Sequence, residues 1–81
     1  MAQRKRRKNP QRYQTLLKVI AKNIRHLRKE KFNLTQEDMM DKGFDRRYIQ
    51  KLESGRYSPS LQTLVRIAEV FKVDVQDLFA D

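Results

Sequence analysis

Apolar residues in this 81-residue chain recur at three- and four-residue steps, and one helix-start signature repeats along it. No β-alternating run of useful length occurs. These patterns predict an all-α fold class: a compact domain of five helices behind a disordered basic N-terminal arm. The length allows one small domain and not two. With 38% hydrophobic residues the core is thin, and a chain this short buries only about 60% of its unfolded surface. Well-terminated helices, a partner subunit, or both must compensate.

The elements follow in order. Residues 1–12 hold Arg4, Lys5, Arg6, Arg7, Lys8 and Arg12 with no acid, and Asn9-Pro10 closes the run. With no large apolar residue beyond Met1, this segment cannot offset its ordering entropy, so it is expected to be a flexible arm before a domain at 13–81. Three roles stay open for Arg4–Lys8: a solvated tail, a strand along phosphates or in a minor groove, or an import signal.

Tyr13, Leu16, Leu17, Ile20, Ala21, Ile24 and Leu27 form one apolar stripe, placing the first helix at about 11–31. Lys18, Lys22, Arg25, Arg28 and Lys29 are assigned to its opposite face. Thr35, Asp45 and Asp74 can each cap a helix, flanked by the staple pairs Leu34/Met39, Phe44/Ile49 and Val73/Leu78. Gly43 and Gly55 suit left-handed C-terminal caps. The remaining helices then lie at about 35–41, 45–53, 60–71 and 75–80. For the fourth, either Ser58 or Ser60 can cap around Pro59. Its apolar set, from Leu61 to Phe71, covers more than half the circumference and makes it the central packing element.

Two short helices joined around Gly43 form a helix-turn-helix. The second of such a pair sits in a major groove, its N-terminal side chains reaching base edges. Here those side chains are Arg46 and Arg47, then Gln50 and Lys51, with Ile49 and Leu52 facing inward. Arginine matches guanine O6 and N7 with two donors, and glutamine can pair adenine. On an isolated helix the same residues would be an ordinary solvated face. The net charge of +9 and the basic arm favour a reader of bases.

Three runs carry a family resemblance: Leu34-Thr35-Gln36-Glu37-Asp38-Met39, Asp45-Arg46-Arg47-Tyr48-Ile49-Gln50-Lys51-Leu52-Glu53-Ser54-Gly55, and Pro59-Ser60-Leu61-Gln62-Thr63-Leu64. With Ile24–Arg28 before them and Ile67–Phe79 after, the chain resembles the Cro/lambda-repressor family (XRE-type) of helix-turn-helix regulators over about 20–80. The resemblance implies a five-helix domain that binds operator DNA as a homodimer. It also implies a cytoplasmic, bacterial or phage-encoded, nucleoid-associated protein. Arg46, Arg47 and Lys51 correspond to base-reading positions, with Gln50 a weaker one. Gln36, Arg56, Tyr57 and Ser58 correspond to phosphate contacts, and Glu53 to a structural acid. Leu34, Ile49, Leu52, Leu61, Leu64 and Ala68 correspond to core. Two departures stand out: Met40 occupies a position usually held by a small residue, and the turn is one residue shorter. Together they imply a different crossing of the second and third helices. The Asp45–Ile49 run is similar to restriction–modification controller proteins. Phe71, Val73, Val75, Leu78 and Phe79 are the candidate dimer interface; the alternative is a purely intramolecular core, to which Leu78 belongs in either case.

Other classes fare poorly. His26 is the one histidine, no glycine-rich phosphate loop exists, and the absence of cysteine removes disulfides, thiolate zinc sites and cysteine nucleophiles. No enzyme, metal or cofactor is expected. No apolar run exceeds three residues, so no membrane span or signal peptide is read. A basic helix could bind an anionic membrane, but its apolar stripe is needed for the core. The rival reading is an antitoxin that binds a partner toxin and regulates its own operon.

Overall fold

The computed structural model describes residues 12–81, so the Arg4–Lys8 arm lies outside the described residues. Helix α1 spans Arg12–His26 and buries Leu17, Ile20, Ala21 and Ile24 of the predicted stripe, while Leu16 is half-buried and Tyr13, at its start, is exposed. Its last turn departs from expectation. Leu27–Lys31 widens into a π turn, closed by the Phe32 N–H on the Leu27 carbonyl at 3.0 Å. Arg28, expected on the solvent face, is buried here. It lies four residues after Ile24, within the buried arc. Asn33 then adopts a left-handed backbone, which asparagine tolerates, and the chain reverses.

The next segment is a 3₁₀ helix, Glu37–Lys42, rather than the α-helix expected from 35. Its entry holds the predicted box: the Thr35 N–H donates to Asp38 Oδ2 at 2.7 Å, and the Asp38 N–H donates to Thr35 Oγ1 at 3.0 Å. Gly43, at φ 92°, ends it and donates its N–H toward the Met39 and Met40 carbonyls. Helix α2, Arg46–Leu52, starts at Asp45, whose carboxylate accepts from the Arg47 N–H at 3.2 Å. Helix α3, Leu61–Val70, starts at Ser60, which accepts from the Thr63 N–H at 3.1 Å and so decides between the two candidate caps. A second 3₁₀ helix, Val75–Phe79, closes the chain through a box between Asp74 and Asp77.

Helix α1 and helix α3 both pack on the Val75–Phe79 turn, and α2 packs on Glu37–Lys42. Ile24, Met39, Ile49, Leu52, Ile67, Phe71 and Leu78 are the largest fully buried side chains of the joint core. The amide of Asn23 ties the ends together, donating to the carbonyls of Leu78 at 2.9 Å and Ala80 at 2.7 Å. Those carbonyls have no partner within so short a helix, and Asn23 supplies one.

Three expectations are corrected by this packing. Phe71 is wholly buried and belongs to the core, together with Leu78, which the core claims in either reading. Val73 and Val75 are half-buried against that core, which leaves Phe79 exposed among the five. Leu61, expected in the core, is 66% exposed. It occupies the first turn of α3, at the rim of an open groove that α1 lines on its other side.

Candidate nucleic-acid interface

Helix α2 is fixed from behind. Ile49 and Leu52 sit in the core, and the Asp45 cap sets where the first turn begins. Arg46, Arg47, Gln50 and Lys51 are consequently all exposed on the opposite side. Apolar anchors at one helical phase and polar residues at the other make this display a consequence of sequence spacing.

The four side chains are held differently. Arg46 Nη1 lies 3.9 Å from Glu37 Oε2, with both groups well exposed, a pair worth at most about 1 kcal/mol and easily exchanged for another anion. Lys51 is steered by its Nζ lying 5.1 Å from the centroid of the Tyr57 ring. Gln50 donates from Nε2 to Gln36 Oε1 at 3.3 Å. Gln36 in turn donates to Glu53 Oε1 at 3.3 Å, so its amide joins α2 to the element before it. Arg47 makes no side-chain hydrogen bond or ion pair among the described residues.

Beneath this face lies a buried ion pair. Arg28 Nε donates to Glu53 Oε2 at 2.7 Å and Nη2 to Oε1 at 2.9 Å, while Nη1 donates to the Leu34 carbonyl at 2.8 Å. Both side chains are under 10% exposed. A bidentate pair with its remaining donors satisfied is the geometry in which a buried charge is tolerated. It locks the end of α1 to the end of α2, and Glu53 is thus the structural acid expected of it.

The loop after α2 holds the expected phosphate-contact residues. Ser54 Oγ donates to the Lys51 carbonyl at 2.7 Å and accepts the Arg56 N–H at 3.1 Å, across Gly55 at φ 79°. Arg56 and Ser58 are exposed, whereas Tyr57 is half-buried. Tyr57 meets the Tyr48 ring edge-on at 5.7 Å, with hydroxyl oxygens 3.4 Å apart, and Tyr48 donates to Thr63 Oγ1 at 3.4 Å. The hydrogen bond with Tyr48, helped by desolvation and by the Tyr48 charge, pushes the Tyr57 phenol up.

Sequence reasoning missed Arg66. From α3 its guanidinium lies 4.6 Å over the Phe44 ring and donates to the Gly43 carbonyl at 3.3 Å. Phe44 stacks on Tyr48 with rings 4° from parallel. Arg66 thus clamps the turn that sets the angle of α2. Met40 does not set it, because its side chain is 58% exposed and stays out of the crossing. The signal available was the one basic residue of α3.

An open cleft of about 790 Å³ runs beside the face, with Gln36, Arg46 and Gln50 on one wall and Arg25 and Lys29 on the other. Among the described residues no group of His, Cys, Asp or Glu could hold a metal ion, and no helix is long and apolar enough to cross a membrane.

The comparison with known families decides what this arrangement is. The helix-turn-helix family model matches residues 24–78, from the last α-turns of α1 to the closing 3₁₀ helix. The chain belongs to the XRE-type helix-turn-helix family. That is a family of DNA-binding transcription regulators and not an enzyme class. Similar helix-turn-helix proteins include an uncharacterized transcriptional regulator of Archaeoglobus fulgidus, 44% identical over 50 residues, which are 60% of this chain and 70% of that one. A regulator of Sinorhizobium fredii is 37% identical over 62 residues, 75% of this chain and 79% of its own. The ImmF control region 10 kDa protein of Bacillus phage phi105 is 40% identical over 62 residues, 75% of this chain and 68% of its own. No solved structure matches the chain.

Proposed function

We propose that this protein is a sequence-specific regulator of transcription that binds double-stranded DNA as a homodimer on a palindromic operator. Helix α2 enters the major groove, and Arg46, Arg47, Gln50 and Lys51 read base edges, the arginines toward guanine. Gln36, Arg56, Tyr57 and Ser58 hold phosphates on either side. The observation that carries this reading is the outward display of four polar side chains on a helix whose other face is locked by Ile49, Leu52 and the Arg28–Glu53 pair.

One such domain reads too few base pairs for specificity. Two copies would place their helices about 34–36 Å apart on one side of a duplex. With Phe71 and Leu78 in the core, the contact falls to Phe79 and the apolar side chains around it. Phe79, Leu61 and Tyr13 border an open groove of about 270 Å³ together with Pro59. Symmetry is thus part of the same test. Selection of bound sequences from a random duplex pool should return an inverted repeat with half-sites one helical turn apart. A pool that returns no motif would reject base reading, and an asymmetric motif would reject the dimer.

A further inference from the structure

The positive charge of the described residues is concentrated away from the reading helix. Residues 32–81 carry seven Lys and Arg against nine Asp and Glu, so the part containing α2 is net negative. Residues 12–31 carry seven Lys and Arg against Glu30 alone. Arg28 is neutralised inside the protein by Glu53. Lys18, Lys22, Arg25 and Lys29 are spaced by four, three and four, which places them in one arc of a helix.

The structure keeps them together. All four are exposed, and they line one open cleft of about 430 Å³ along α1, with Ser54 and Gly55 on its far wall. The ion pairs among the described residues involve none of the four. Arg25 and Lys29 also line the cleft beside Gln36, Arg46 and Gln50. The stripe therefore runs from the edge of the reading face to the turn behind it. At that end Lys18 is seated under the turn, since a Cβ on Gly55 would lie 3.3 Å from Lys18 Cγ.

Four like charges in line, with Glu30 the one exposed carboxylate in the lining, repel one another, and a polyanion facing them relieves that repulsion. At about 1.5 Å per residue the stripe is about 16 Å long. A duplex backbone presents phosphates at regular intervals, so a stripe of this length can face more than one of them at once. No Phe, Tyr or Trp ring lines the cleft, His26 being its one aromatic side chain, whereas single strands require platforms on which successive bases stack.

We propose that Lys18, Lys22, Arg25 and Lys29 form a phosphate track that grips duplex backbone flanking the base pairs read by α2. The track rests on the DNA-binding reading above and supplies most of the charge-driven affinity of residues 12–81. In the full-length protein, Lys18→Gln with Lys22→Gln removes the half of the track farthest from α2. The probes are a duplex recovered from the random pool and a scrambled duplex of equal length. The slope of log K against log salt should become shallower by about 0.9 per lost contact, with equal loss on both duplexes. Trimming the recovered duplex to the read base pairs should erase the difference between variant and parent. Arg25→Gln with Lys29→Gln should act in the same direction, and circular dichroism should show both variants folded. An unchanged slope in both, while the parent still discriminates, overturns the track alone. Lost discrimination in a folded variant overturns it too, by placing these residues in base reading. A parent that prefers no duplex overturns the function itself.

Discussion

Arg46 and Arg47 differ in what holds them, and this separates their expected behaviour. Either one replaced by alanine should cost about 1–3 kcal/mol of discrimination for the bidentate contact proposed for it. The measure is the ratio of Kd values on the selected and scrambled duplexes. Arg47→Ala should act on that ratio alone. Arg46→Ala also frees the Glu37 carboxylate beside the groove, so it should weaken binding to both duplexes as well. A different kind of residue lies under them. Glu53→Ala leaves the Arg28 guanidinium buried against the Leu34 carbonyl without its counter-charge. The expected loss is about 3–5 kcal/mol in urea unfolding, a large share of the stability of so small a domain. Adding Arg28→Met should restore much of it, because the penalty belongs to the unpaired charge and not to the missing attraction.

Helix ends were legible in the sequence because their chemistry is local. Thr35 with Asp38, Asp45, and Asp74 with Asp77 each act within three residues, and each cap forms as read. The Thr35–Asp38 box carries a pH signature. Chiefly the Thr35 backbone N–H, and then its hydroxyl, hold the Asp38 carboxyl below the usual aspartate range. A lowered folded-state pKa contributes stability above the unfolded value, and this fades as pH falls through the lowered one. The Tm advantage of the parent over Asp38→Asn should thus be complete at pH 7 and shrink below about pH 4. What the pattern did not reveal depends on distant partners. The π turn at Leu27–Lys31 accompanies the burial of Arg28, whose partner Glu53 is 25 residues away. Periodicity marked Leu61, Phe71 and Leu78 alike as apolar, yet only the tertiary arrangement buries two and exposes the first. On the reading face, spacing foretold which side chains of α2 point outward. The Arg66 clamp and the Gln36–Gln50 contact needed the fold.

At the scale of the whole molecule, two concentrations of positive charge and one apolar groove are the features the proposed DNA binding puts to use. Deleting residues 2–9 removes five Lys and Arg, so the salt slope of binding should flatten while base preference largely survives. An identical slope would make the arm a solvated tail. The groove concerns assembly. Phe79 is 39% exposed and Leu61 is 66% exposed, and both border one opening together with Tyr13. Core packing does not require these exposures, since Leu64, Ile67 and Leu78 already fill the space beneath. Phe79→Ser should accordingly leave the unfolding midpoint of the monomer little changed while shifting sedimentation from dimer toward monomer. Leu61→Ser should do the same from the other side of the groove. Binding to an inverted repeat should then require higher protein concentration, because the second copy no longer arrives with the first. A single half-site should be bound as before. Intact dimers in both variants would move the interface away from this groove, and the half-exposed Val73–Val75 edge would be the next surface to alter.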